Sequence, residues 1–151
     1  MRQVTYVTAD KFSIGIKDIM DTIDVSLRAN LNECVRESCK MGARLARRGA
    51  KKLFKTNTSN VHGRYSKNFS YRIKSNRDSV IGEIGNKKYP GLVHLLEKGH
   101  RTINGARSAS GGIGTINMGS VPAYPHLAPA ADETFDHFNK VVKKALDKAL
   151  K

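Results

Sequence analysis

An α+β fold is predicted for this chain of 151 residues, and three observations predict it. A short alternating segment precedes a long stretch of helical periodicity. Two further alternating runs flank a turn. A second helical stripe ends the sequence. The expected architecture is a long N-terminal amphipathic helix packed on a small antiparallel β-sheet, a short central helix, a long Gly-rich loop and a C-terminal helix. The length suits one domain covering residues 1–151.

Residues 1–16 alternate weakly (Val4 and Tyr6, then Phe12, Ile14 and Ile16), which predicts one or two short strands or an extended arm. Asp21, Thr22 and Asp24 offer oxygens and negative charge suited to a helix start. Leu27, Leu31, Cys34, Val35, Ser38, Met41, Gly42 and Leu45 then share one side of a helical wheel. Arg36, Lys40, Arg44, Arg47, Arg48, Lys51 and Lys55 share the other. A helix of roughly 30 residues would run about 45 Å. The turn residues from Lys55 to Asn60 end it.

Phe69, Tyr71 and Ile73 alternate with polar residues as in a half-buried strand, and Ser79 to Gly85 supplies its hairpin partner. Gly82 and Gly85 there predict a bulge or a close backbone approach. Pro90 suits the first position of a helix carrying Leu92, Val93, Leu95 and Leu96, and Gly99 suits its stop. Five glycines between Asn104 and Gly119 mark a flexible loop or a long hairpin tip, so residues 103–120 are expected to project. Pro122, Pro125 and Pro129 would then hold the chain extended. Asp132 and Glu133 are expected to open the last helix, with Phe135, Phe138, Val142, Ala145, Leu146 and Ala149 as its buried stripe.

The net charge is +14, and its distribution matters more: Ser38 to Arg77 holds twelve Lys or Arg and no Asp or Glu. Such a field favours polyanions or acidic protein partners. With no aromatic interleaving, contact with nucleic acid would be with phosphates and indifferent to sequence. No run of 18 apolar residues predicts a membrane span, and the start lacks the order of a secretory signal, so folding in a cytoplasm is expected.

Catalytic and metal chemistry find little support. Cys34 and Cys39 lie five apart in one helix, which suits two ordinary thiols and not a disulfide or metal site. The five histidines show no HxH, HxxxH or HExxH spacing. His94 and Glu97 form an i, i+3 pair that could hydrogen-bond across a turn. Gly111-Gly-Ile-Gly114 lacks the GK[ST] ending of a phosphate loop, and Ser108 and Ser110 have no nucleophile-elbow context. No enzyme activity and no cofactor are expected.

Three segments carry a resemblance: Gly63-Arg-Tyr-Ser-Lys-Asn68, His94-Leu-Leu-Glu-Lys-Gly-His100 and Pro122-Ala-Tyr-Pro-His-Leu-Ala-Pro-Ala130. In that order, before a final amphipathic helix, they resemble the phage minor tail-component family, whose type member is gene product ten of a lambda-like siphophage. The resemblance covers most of the chain and is specific in the second half, while the loop from Ala106 to Met118 is longer than the family needs. It implies a structural protein of the virion neck (tail completion or head–tail joining) that assembles in the host cytoplasm as a ring, commonly of six copies. Its partners would be connector or stopper proteins on the portal side and tail terminator or tail tube proteins below. A tail terminator is a close relative of this reading, and a free, sequence-nonspecific nucleic-acid-binding protein is the rival from another class.

The residues that the resemblance carries over are architectural. Leu95 and Leu96 would anchor the short helix, Glu97 with His100 and Arg101 would set the exit of the loop, and Pro122, Pro125, His126 and Pro129 would hold the strap. Ring subunits need head-to-tail contacts, for which residues 1–16 and 103–120 are the candidates. The basic helix is expected to face acidic neighbours in preference to phage DNA, because a strongly adhesive channel lining would hinder passage of the genome.

Overall fold

The computed structural model describes residues 2–8, 10–18, 23–53, 60–107 and 113–149, without the side chains of 2, 4, 6, 60–63, 102–107 and 113–118. The fold is mixed α+β. Two strands, β1 (Arg2–Val7) and β2 (Lys11–Lys17), precede the long helix α1 (Val25–Leu53) and a short helix α2 (Asn60–Lys67). A hairpin of β3 (Phe69–Ser75) and β4 (Val80–Asn86) leads to α3 (Pro90–Lys98). A second hairpin, β5 (His100–Arg107) and β6 (Ile113–Val121), precedes α4 (Leu127–Ala149).

The main sheet is antiparallel throughout, in the order β1-β2-β4-β3. The alternation of its strands decides which face is covered. Phe12, Ile14 and Ile16 pair with Ile84, Gly82 and Val80, and apart from the glycine these are fully buried. Both long helices lie on that face, α1 against β3 and β4, and α4 against β2. Residues 11–17 are therefore a central strand and not a free arm, since two neighbours use both edges of their backbone.

Asp24 starts α1: its carboxylate accepts from the backbone N–H groups of Ser26 and Leu27 at 2.6 and 2.9 Å. A bond from the Ser26 hydroxyl, together with these two, holds its carboxyl below the usual range. Asp21 and Thr22 lie outside the described residues. Leu31, Cys34, Val35, Ser38 and Gly42 are buried as the periodicity predicts, and Cys39, Ala43, Ala46 and Ala50 extend the same side. Small residues there let the helix sit close. A Cβ on Gly82 would stand 2.0 Å from the Cys39 sulfur, and one on Gly42 would stand 2.8 Å from Thr134 Oγ1 of α4. Gly82 is thus a close approach, in a strand whose register runs on without a bulge. Both cysteines are free, and burial pushes the Cys39 thiol up to about 12.

The structure corrects or completes the sequence reading at three places. The last helix begins at Leu127, not Asp132, so Pro129 does not extend the chain but sits in the first turn. Proline is tolerated there because the first N–H groups of a helix lack intrahelical partners. The earlier start adds Leu127, Ala130 and Ala131 to the buried stripe, Thr134 joins it within the predicted span, and Ala149 at the far end is exposed. Of the two readings of residues 103–120, a flexible loop or a long hairpin, the structure has the hairpin: 103–107 and 113–120 are strand, and 108–112 lie outside the described residues. Residues 60–67, to which the sequence assigned no element, form a helix that delivers Tyr65 to the core.

Candidate functional site

The residues that the sequence singles out converge where the β5–β6 ribbon joins the body. Asn86 prepares α3: its side-chain oxygen accepts from the backbone N–H of Lys88 and of Tyr89 at 3.1 and 3.0 Å, ahead of Pro90 at the helix start. The helix buries Val93 fully and Leu92 and Leu96 in part. Leu95 is 38 % exposed, more open than its neighbours Leu92, Val93 and Leu96. On a 3.6-residue period it lies opposite Val93. Gly99 ends α3 at φ +70°, and a Cβ there would stand 2.7 Å from the Val121 carbonyl oxygen and 3.0 Å from the Ala123 nitrogen. Only glycine suits both the left-handed backbone and the returning strand.

Outgoing and returning chain are fastened together at this point. His100 pairs with Val121 and Arg101 with Ser120, so both open β5, and an irregularity follows between Arg101 and Ile103. Arg101 is exposed and His100 half-buried. Pro122 and Pro125 are exposed on the extended return, where the Tyr124 N–H donates to the Leu96 carbonyl at 2.7 Å.

Glu97 is the centre of the clamp. One carboxylate oxygen accepts from the backbone N–H of His126 and of Leu127, both at 2.7 Å, and the other from Ala128 at 3.4 Å. Glu97 therefore caps α4 from another helix, a negative charge on the positive end of the helix dipole. The same oxygen lies 2.8 Å from Nδ1 of His126. Burial works to raise this carboxyl, but the hydrogen bonds from the His126 ring and from the His126 and Leu127 backbone outweigh it and hold it at about 2. The expected pairing of Glu97 with His94 gives way to these partners, and His94 is exposed.

His126 is 4 % exposed and works on both sides. Nδ1 faces two acceptors, Glu97 and the Tyr124 carbonyl at 3.1 Å, so it carries the proton. Nε2 then accepts from the Tyr65 hydroxyl at 2.7 Å. Tyr65 is fully buried, which together with the Glu97 charge raises its pKa. The Asn86 side-chain amide donates to the Tyr65 backbone carbonyl at 2.9 Å, and the rings of Phe69, Tyr89 and His126 surround the phenol. A carboxylate–imidazole–phenol row resembles a proton relay, but its hydroxyl is sealed from solvent. This arrangement ties α2, α3 and α4 together.

The basic side of α1 is a separate surface. Arg36, Lys40, Arg44, Arg47, Arg48 and Lys51 are all exposed, and Lys55 lies outside the described residues. Arg36 pairs with Glu33 at 3.5 Å; among the described residues the other five meet no carboxylate. Arg47 Nε donates to the Phe69 carbonyl at 2.8 Å and so ties α1 to β3. Among the described residues no three His, Cys, Asp or Glu side chains are grouped as metal ligands, and no helix is long and apolar enough to cross a membrane.

Sequence reasoning missed Tyr65 and Asn86, whose partners lie 61 and 21 residues away. The one signal was Tyr65 itself, an aromatic side chain inside an otherwise polar motif. Comparison with protein-family models, with curated proteins and with solved structures finds no match for this chain.

Proposed function

We propose that this chain is a structural subunit of a phage virion neck, a tail-completion or head–tail joining protein that assembles as a ring of six copies between portal-side connector proteins and the tail. The observation that carries this reading is the β5–β6 ribbon. Among the described residues its strands pair with each other and with no other strand, while its two ends are fixed to the body at Gly99 and by the Glu97 cap. A two-stranded ribbon alone is marginal in water, so an anchored one suits a contact with a neighbouring copy, as a head-to-tail ring requires. The three motifs of the resemblance support the same reading, because Tyr65, Glu97 and His126, one from each, meet in a single hydrogen-bonded row. In this reading α1 is an amphipathic strut, with small buried residues toward the sheet and cations outward.

The test is assembly. Purified chain, alone and with the portal-side and tail proteins of its own particle, is examined by sedimentation and electron microscopy. Rings that sit at the neck are expected. A chain that stays monomeric with all those partners present, or that turns over a substrate, would sink the proposal.

A further inference from the structure

We propose that the outer side of α1, with the adjoining α2 and β3, binds the phosphate backbone of duplex DNA without regard to sequence. The acid-free stretch from Ser38 to Arg77 is not strung along the surface. Its described residues fold into the second half of α1, α2 and β3, and both α2 and β3 pack against α1. On α1, Lys40, Arg44, Arg47 and Lys51 follow an i, i+4, i+7, i+11 spacing, which stacks them in one row about 16 Å long. Arg64 and Lys67 on α2 are also exposed, whereas Arg72 and Lys74 on β3 alternate to the other face of the sheet, where Lys74 pairs with Glu83 at 3.1 Å, and so stand outside this surface.

Between α1 and β3 runs a groove of about 200 Å³ lined by Lys40, Ala43, Arg44, Arg47, Ser70 and Tyr71, with no acidic side chain among them. Arg47 spends one N–H on the Phe69 carbonyl, which fixes its guanidinium at the groove with four donors left. A guanidinium held this way suits phosphate oxygens.

Two observations choose the partner. A protein docking here would need an apolar anchor at the centre of the contact. The exposed large apolar side chains among the described residues are Val7, Val25, Leu95 and Tyr124, and none lies between Arg36 and Arg77. Single-stranded nucleic acid would need exposed aromatic platforms, whereas Tyr71 is half-buried and Tyr65 fully so. What remains is charge laid along a rod, which matches a duplex carrying one charge per about 1.7 Å. This departs from the preference for acidic protein neighbours drawn from sequence. Contacts made only to phosphates let a duplex slide, so they do not oppose its passage as a tight lining would.

The inference does not rest on the ring reading, and the two fail on different measurements. Fluorescence anisotropy with a labelled 30-base-pair random duplex is read for the full-length chain across a potassium chloride series. Binding whose logarithm falls linearly with log salt is expected. Lys40→Ala, Arg44→Ala and Lys51→Ala together, all at exposed positions without ion pairs, should lower the slope by about 2.7 and the affinity by at least about tenfold. The same charge removed from α4, as Lys143→Ala, Lys144→Ala and Lys148→Ala, should leave the slope within about one unit of the parent chain. Circular dichroism checks that both variants are folded. An equal loss in the α4 variant, no binding by the parent chain at 50 mM salt, or tighter binding of labelled poly-glutamate than of the duplex would each overturn the assignment.

Discussion

Glu97 shows how much one side chain can hold when its partners come from elsewhere in the chain. It accepts from two backbone N–H groups at 2.7 Å and lies 2.8 Å from an imidazole nitrogen. Glu97→Gln keeps the shape and loses the charge, so α4 loses the anion at its positive end. A loss of roughly 2–3 kcal/mol in urea unfolding at neutral pH is expected. The pH dependence has a definite sign. A carboxyl held at about 2 in the fold, below its unfolded value, stabilises the fold fully at pH values above about 4.5. That contribution fades as the pH falls toward 2. Unfolding free energies measured from pH 6 to pH 2.5 should therefore drop in the parent chain and run flatter in Glu97→Gln. Equal slopes would remove Glu97 from the account. The sequence offered His94 as the partner because periodicity reveals only neighbours one turn away. The partners found are 29 and 30 residues distant, and no spacing rule reaches that far.

Among the elements, α1, the β3–β4 hairpin and α3 were legible because burial imposes a period on each. Asp24, Pro90 and Gly99 marked their ends through backbone chemistry that acts within a few residues. Two elements were read less well. Glycines between Asn104 and Gly119 left a loop and a hairpin both open, and β5 and β6 pair there, since a hairpin needs only backbone groups in register. The start of α4 was displaced because Pro129 was taken as a helix breaker, whereas the Glu97 carboxylate satisfies the end it occupies. Gly82 shows a contact that the sequence could name in kind but not in partner. Gly82→Ala forces a methyl into the Cys39 sulfur and should cost roughly 1–3 kcal/mol. Adding Cys39→Ala vacates that space and should return part of the loss in thermal unfolding. No recovery in the double variant would mean that the strand backbone itself rejects the methyl.

For the whole molecule, the hairpins could be read singly, but not their order in the sheet. The strand sequence β1-β2-β4-β3 places an early strand beside a late one, and only the shared burial of Phe12, Ile14, Ile16, Val80 and Ile84 selects it. The ring proposal makes its own demand at this scale. Replacing residues 103–118 with a short Gly-Ser link should leave the body folded, because the core lies on the α1–α4 side of the main sheet. Circular dichroism and unfolding should change little, while ring formation and particle yield should collapse. Rings forming normally after this change would sink the role of the ribbon.

The clamp also bears on what such a chain can become. Leu96 and Glu97 grip Tyr124, His126 and Leu127 directly, so everything threaded between them hangs from a closed collar. Lengthening chain whose ends are already joined costs little, about 0.6 kcal/mol for each doubling. The β5–β6 ribbon is therefore the part of the polypeptide most open to exchange: a longer, shorter or differently charged finger could be grafted onto an unaltered palm.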